Sequence, residues 1–134
     1  MKTLIENAVQ RVEEKEKMIE TEEKYDYTED DLRAILREAQ AKIKVMGTGG
    51  AGCNAIQRLI EVGIVGAEAI SINTDAQDLL SKNASKRVLI GKNVTKGLGA
   101  GNDPRLGEEA AREDERLIKD TLEGADMVFV TCGL

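Results

Sequence analysis

The sequence predicts an α/β protein, a doubly wound, Rossmann-like parallel sheet preceded by a helical N-terminal extension. Three observations carry this expectation. Short apolar runs alternate with amphipathic helical stretches from residue 42 onward, the order that gives right-handed crossovers between parallel strands. Two glycine-rich segments each lead into a helix start, as phosphate-binding turns do. The first 40 residues have a different texture, rich in Glu and Lys and without strand-like runs.

From Met1 to about Lys24 the apolar residues Leu4, Ile5, Ala8, Val9, Val12 and Ile19 recur at helical spacing. Tyr25-Asp26-Tyr27 interrupts this helix. Thr28 with an acid three residues on, Asp31, then forms a capping signal for a second helix through Leu32, Ile35, Leu36 and Ala39. Residues 1–40 are read as this extension, expected to lay one face on the main domain or to serve as a partner-binding helix. Residues 41–134 are read as the main domain.

The first strand, Ile43-Lys44-Val45-Met46, runs directly into Gly47-Thr48-Gly49-Gly50-Ala51-Gly52-Cys53-Asn54. A helix follows, with Ala55, Ile56, Leu59 and Ile60 on one face and Gly63 as its stop. A second strand, Ala69 to Ile72, ends at Asn73-Thr74-Asp75-Ala76-Gln77, before a short helix carrying Leu79 and Leu80. The third strand is Arg87 to Ile90. The loop Gly97-Leu98-Gly99-Ala100-Gly101-Asn102 ends in Asp103 as N-cap and Pro104 at the first helical position. One helix is expected from there to about Glu123, with a stripe of Leu106, Ala110, Leu117, Ile118, Thr121 and Leu122, closed by Gly124. The fourth strand, Met127 to Val130, is continuously apolar, as an interior strand covered on both faces would be. In the usual order it lies beside strand one, and ligands bind beyond the carboxyl ends of the strands.

Composition narrows the function. With 41% hydrophobic residues the chain can bury a modest core, and no run of about 18 apolar residues is present to span a bilayer. The charge-rich N-terminus carries no secretory signal core, which places the protein in the cytoplasm. Histidine is absent, and Cys53 and Cys132 have no partners at metal-ligand spacing, so zinc and histidine acid/base chemistry find no support. Aromatics are limited to Tyr25, Tyr27 and Phe129 and the net charge is −6, which argues against a nucleic-acid partner. Residues 1–41 hold 7 basic and 12 acidic residues against 12 and 13 in the remainder, so the acidity belongs mainly to the extension.

Gly47 to Gly52 matches G-x-G-x-x-G between a strand and a helix, the context in which glycines let phosphate oxygens approach backbone N–H groups. The helix behind it adds about half a positive charge at its N-terminus. Glycines used only for strand–helix packing are the alternative. Asp75 follows at about the separation at which dinucleotide enzymes place a ribose-binding acid, so a NAD-binding half stays open. The loop Gly97 to Gly101 favours a polyphosphate held by several loops. No G-x-x-x-x-G-K-[ST] is present, nor a nucleophile–base pair.

Taken in order, Gly49-Gly50-Ala51-Gly52-Cys53-Asn54, Asn73-Thr74-Asp75-Ala76-Gln77, Gly97-Leu98-Gly99-Ala100-Gly101 and Asp126-Met127-Val128-Phe129-Val130-Thr131 resemble consecutive segments of the FtsZ family, the tubulin-like GTPases of prokaryotic cell division. The extension looks more like archaeal members than bacterial ones. The resemblance spans about residues 42–134 and implies a truncated GTPase domain that binds GTP or GDP, with Mg²⁺ in the full-length protein. It assigns nucleotide contacts to Gly49, Gly50, Ala51, Gly52, Cys53, Asn54, Asn73, Thr74, Asp75, Gly99, Ala100, Gly101 and Asn102, with Ala100 and Gly101 near the γ-phosphate and Asp75 bearing indirectly on the metal. It assigns no catalytic and no direct metal ligand to this chain. Cys53 stands where relatives often carry Asn or Gly, and Asn102-Asp103 replaces a small residue followed by Asn, Asp or Arg; both are backbone-mediated positions.

The resemblance also implies a head-to-tail filament of identical subunits, with GTP hydrolysed at the subunit contact, other division proteins as further partners, action at mid-cell and no membrane insertion. Two family elements have no counterpart here: the glycine- and threonine-rich loop expected after Gly133-Leu134, and the acidic loop of a later domain. The chain is therefore expected to be incomplete and inactive alone; a non-catalytic fragment that caps filaments is the remaining alternative.

Overall fold

The computed structural model describes residues 3–134, without side-chain detail for residues 19–25. Met1, Lys2 and the side chain of Ile19, which the sequence reading placed on the first helix, lie outside the described part. The chain divides into two compact units, Met1–Gln40 and Ala41–Leu134.

The first unit holds α1 (Leu4–Tyr25) and α2 (Glu29–Ala39). Each begins with a reciprocal cap. Thr3 accepts from the Glu6 N–H while the Glu6 carboxylate accepts from the Thr3 N–H, and Thr28 and Asp31 do the same for α2. The Thr28 bonds hold the Asp31 carboxyl below the usual carboxylate range.

The second unit runs β1 (Ile43–Thr48), α3 (Gly49–Val62), β2 (Ala67–Asn73), α4 (Ala76–Ser81), β3 (Lys86–Leu89), α5 (Lys92–Thr95), α6 (Pro104–Glu113), α7 (Glu115–Leu122) and β4 (Met127–Cys132). All strand pairs are parallel and the order is β3-β2-β1-β4, so the strand order reverses between β1 and β4. Ile43 stands opposite Ala67 on one side and Met127 on the other, and Ile70 opposite Lys86. Every strand therefore ends at the same edge.

Two small cores flank the sheet. On one face Val45, Ile56 and Ala69 are buried with Ile60 and Ile64 packed against them, which places α3 there. On the other, Met46, Ile70, Ile72, Val88, Ile90 and Ala110 pack with Ile118 and Leu122, which places α6 and α7 there. Alternate residues of β1 and β2 serve opposite faces, as the pleat requires.

The structure departs from the sequence reading at four places. The glycine motif is not a free loop: Gly47 and Thr48 belong to β1, and Gly49 to Asn54 already form the first turns of α3. The single helix expected from Pro104 to about Glu123 is broken at Asp114 (φ −110°, ψ 26°), where the Glu113 and Asp114 carboxylates turn to accept backbone N–H bonds from residues 91–94. The four-residue α5 was not anticipated; it is bounded by Gly91 and Lys96, both left-handed. Last, β4 is not an interior strand among the described residues. It pairs with β1 alone, and Met127, Phe129 and Val130 are 52%, 54% and 60% exposed.

Candidate functional site

Four connections meet at the carboxyl edge of the sheet: the β1–α3 turn, the β2–α4 loop, the segment 96–103, and the residues after β4. The first divides the glycine motif between two physical tasks. A Cβ on Gly47 would lie 2.2 Å from the Gly52 carbonyl oxygen and 2.5 Å from Ile56 Cγ1; one on Gly52 would lie 2.5 Å from the Thr131 carbonyl oxygen. These two glycines let α3 sit directly on β1 and β4. Gly49 and Gly50, by contrast, have nothing within 4 Å of their Cβ positions, and Gly49 makes the strand-to-helix turn at φ 70°.

Because α3 begins at Gly49, the N–H groups of Gly49, Gly50 and Ala51 precede the first intrahelical acceptor, and the Thr48 side chain makes no cap bond. The Thr48 hydroxyl instead donates to the Thr131 carbonyl at 3.4 Å. Three aligned donors, open space above Gly49 and Gly50, and a helix dipole are features that suit an anion. Gly52, Cys53 and Asn54 lie one turn further on, inside the helical ladder. Cys53 is fully buried, its thiol donating to the Ile72 carbonyl at 3.5 Å, and burial pushes that thiol above its ordinary ionisation range. Asn54 is exposed.

The β2–α4 loop is organised by Asn73, a largely buried residue at the end of β2. Its Oδ1 accepts from the N–H groups of Thr74 (2.8 Å) and Asp75 (3.3 Å), and its Nδ2 donates to Asp78 Oδ2 (2.8 Å). Asp78 is held in turn by Lys82 Nζ at 3.3 Å. Asp75 caps α4, Oδ1 accepting from the Asp78 N–H at 3.0 Å.

The structure joins this loop to the second glycine-rich segment. The Ala76 N–H donates to the Gly97 carbonyl (3.0 Å), the Gly99 N–H to the Thr74 carbonyl (3.2 Å), and Asp75 and Leu98 form an isolated antiparallel bridge. The buried Thr95 hydroxyl also reaches the Thr74 carbonyl. Asp75 Oδ2 lies beside Gly99, 3.6 Å from where a Cβ would stand. Ala100 and Gly101 follow without a covering contact at Gly101, Asn102 is left-handed (φ 62°), and Asp103 caps α6 through the Arg105 N–H. After β4, Gly133 comes close to the start of α3, with its Cβ position 2.9 Å from the Ala51 methyl.

The residues named from the sequence are thus gathered at one edge, except that the Cys53 side chain faces the core. Sequence reasoning missed Asp78, which orients Asn73, and Glu113 and Asp114, which hold α5; the first stands three residues past the N-cap Asp75, while the last two lie some 20 residues from the backbone they grip. An open cavity of about 400 Å³ lies elsewhere, lined by Ile60, Ile64, Ala67, Ala84, Ser85 and Arg87. Ala67 begins β2, so this cavity is at the opposite end of the sheet. It carries none of the glycine-rich backbone donors, and chemistry favours the carboxyl edge. Among the described residues no three His, Cys, Asp or Glu side chains cluster to hold a metal, and no helix is long and apolar enough to cross a membrane.

Comparison with known proteins agrees with this fold. The family model for the tubulin/FtsZ family, GTPase domain, matches residues 42–134. The chain is 54% identical over 135 residues to cell division protein FtsZ 1 of Pyrococcus horikoshii and 51% identical over 134 residues to that of Archaeoglobus fulgidus, in each case over 100% of this chain and 36% of the relative. It therefore spans about a third of the length of these curated relatives. Among solved structures, an empty FtsZ dimer from M. jannaschii superposes with a TM-score of 0.72 at 51% identity, covering 81% of this chain and 32% of that one. A GTPγS-bound protofilament of CetZ2 from Haloferax volcanii superposes at 0.60 and 31% identity over 69% of this chain and 30% of that one. With the sheet order, the open glycine turn and these matches in agreement, the chain belongs to the tubulin/FtsZ family, and residues 42–134 are part of its GTPase domain.

Proposed function

We propose that this chain is the guanine-nucleotide-binding portion of an FtsZ-type cell-division GTPase that assembles head to tail into cytoplasmic filaments. The observation that carries the reading is the uncapped start of α3, where Gly49, Gly50 and Ala51 offer three N–H donors with no side chain above Gly49 and Gly50. This cradle takes a nucleotide's phosphates by backbone donors and the helix dipole. Thr74 and Asp75 stand beside it on the loop that Asn73 organises, and Gly99 to Asn102 supply the donors nearest a third phosphate. Gly52 and Cys53 contribute by seating the helix behind the cradle, and exposed Asn54 is a further nucleotide contact.

A Mg²⁺ ion accompanying the nucleotide would be held chiefly by the phosphates, with Asp75 bearing on it only indirectly through the loop it caps, since among the described residues no three acidic side chains cluster to hold a metal. Bound there it would neutralise phosphate charge. The chain's own residues hold and orient the polyphosphate, and hydrolysis is then a matter of placing a water, which in a head-to-tail filament a neighbouring subunit can supply. The relatives' names support the cell-division role, and the CetZ2 protofilament supports self-association.

The test is calorimetric titration of the chain with GDP, GTP and NADH, followed by sedimentation with GTP. Binding of GDP and GTP with no heat from NADH is expected. Preference for NADH, or no guanine-nucleotide binding at concentrations of about 1 mM, where even interactions of about 4 kcal/mol register, overturns the proposal.

A further inference from the structure

The four-residue α5 raises a physical question, because one helical turn is far too short to hold itself together in water. The structure answers it with two carboxylates from the far end of α6. Asp114 Oδ2 accepts from the Gly91 N–H at 2.7 Å, and Glu113 Oε1 and Oε2 accept from the N–H groups of Asn93 and Val94 at 3.2 and 3.3 Å. Three of the four N-terminal donors that α5 cannot satisfy internally are met in this way. Charged acceptors on backbone N–H groups are the stronger class of hydrogen bond.

From α5 the path to the nucleotide edge is short. The Leu98 N–H donates to the Thr95 carbonyl, the Gly97 carbonyl accepts from Ala76, and the Gly99 N–H reaches the Thr74 carbonyl. Gly101 and Asn102 then lead into Asp103, the cap of α6 itself. Residues 91–114 therefore close a ring: α5 starts it, the glycine-rich segment spans it, and α6 returns to grip the start. The open span of that ring is the segment Gly97 to Asn102.

We propose that Glu113 and Asp114 are positioning residues for the terminal phosphate of a bound guanine nucleoside triphosphate, acting by clamping α5 and so fixing where the Ala100 and Gly101 N–H groups stand. This rests on the reading, given above, that Gly99 to Asn102 face the third phosphate. Both side chains bond the backbone of residues 91–94, outside the Gly97 to Asn102 span, so they bear on discrimination between tri- and diphosphate rather than on binding as such.

The experiment compares Glu113→Ala, Asp114→Ala and the double variant with the unaltered chain, measuring affinity for GTPγS and for GDP together with amide hydrogen exchange at residues 97–102. Lys44→Met serves as the stability control: Lys44 caps the end of α7 through the Thr121 and Glu123 carbonyls and lies outside the ring. The clamp predicts that the double variant loses about tenfold in GTPγS affinity while GDP affinity moves by less than about twofold. It further predicts that exchange at Gly99 and Gly101 accelerates beyond that in Lys44→Met at matched thermal stability, and that Asp114→Asn, which keeps an acceptor oxygen, recovers most of the loss.

An equal fall for both nucleotides, tracking stability as in Lys44→Met, overturns the proposal. Should the double variant fail to fold, Glu113→Ala alone decides it, since Glu113 is exposed and its removal leaves the Asp114 bond in place. A chain that binds neither nucleotide defeats the functional reading, not the clamp; the exchange measurement still judges the clamp, supporting it if residues 97–102 loosen and overturning it if they do not.

Discussion

Replacing Gly50 and Gly52 one at a time by alanine separates the two tasks assigned to one motif. At Gly52 the new methyl would stand 2.5 Å from the Thr131 carbonyl oxygen and 3.0 Å from the Gly47 carbonyl carbon, all backbone atoms held in β1 and β4. An unstrained contact needs about 3.5 Å, so α3 must retreat by several tenths of an ångström or more along the β1–β4 seam. Overpacking of this kind costs about 1–3 kcal/mol, only partly offset by the helix preference of alanine over glycine. In a domain of this size that lowers the unfolding midpoint by about 4–8 °C per kcal/mol. At Gly50 the methyl meets nothing within 4 Å and the backbone is not left-handed, so the same substitution gains up to about 1 kcal/mol. It also places a methyl over the anion cradle and weakens nucleotide binding. Thermal unfolding by circular dichroism, paired with GDP titration, reads both quantities. The pattern expected is Gly50→Ala stable but binding-deficient, and Gly52→Ala destabilised. A Gly52→Ala variant as stable as the parent, or a Gly50→Ala variant that binds GDP normally, refutes the division of labour.

Removing the Asn73 side chain with Asn73→Ala leaves the Thr74 and Asp75 N–H groups without their acceptor and should cost about 2–3 kcal/mol in urea unfolding, with GDP affinity falling as the loop loosens. Lys44→Met strips the donor from two carbonyls at the end of α7 for about 1–2 kcal/mol by thermal unfolding, the half-exposed Glu68 partner adding little, and leaves nucleotide affinity unchanged. A maleimide should label exposed Cys132 rapidly and buried Cys53 only under unfolding conditions, as mass spectrometry over time would record. Because burial raises the Cys53 thiol above its unfolded value, its contribution is whole below the ordinary thiol range of about 8.5 and is lost as pH climbs toward the folded value; urea unfolding at rising alkaline pH should show that slope, and Cys53→Ala should flatten it.

The parts of the fold that were legible in the sequence rest on local rules. Thr28 with Asp31, and Asp103 with Pro104, announce helix starts whose geometry depends on residues within one turn, and both caps form. The adjacency of β4 to β1 follows from handedness rules for parallel sheets and needs no side-chain detail. What escaped the sequence depends on contacts between distant residues. The break at Asp114 runs against an unbroken helical pattern, because what ends α6 is the pull of the backbone around Gly91, 23 residues away. The four residues of α5 are too few for periodicity to register, and their order comes from that same grip. At the site, glycine spacing marked the turn from β1 into α3 but could not show that Gly47 and Gly52 pack while Gly49 and Gly50 remain open, since that division depends on where β4 and Ile56 lie. Cysteine's habit of burial suggests two packed thiols; Cys53 is packed, turned toward the Ile72 carbonyl, but Cys132 at the end of β4 is exposed.

The central claim, that guanine nucleotide sits on the start of α3 at the carboxyl edge of the sheet, is tested most directly by following backbone amide resonances of the labelled chain during titration with GDP and then GTPγS. The account predicts shifts at Gly49, Gly50, Ala51, Thr74 and Asp75 with GDP, extended to Ala100 and Gly101 with GTPγS. Shifts centred instead on Ala67, Ala84 and Arg87, around the cavity at the other end of the sheet, would contradict it.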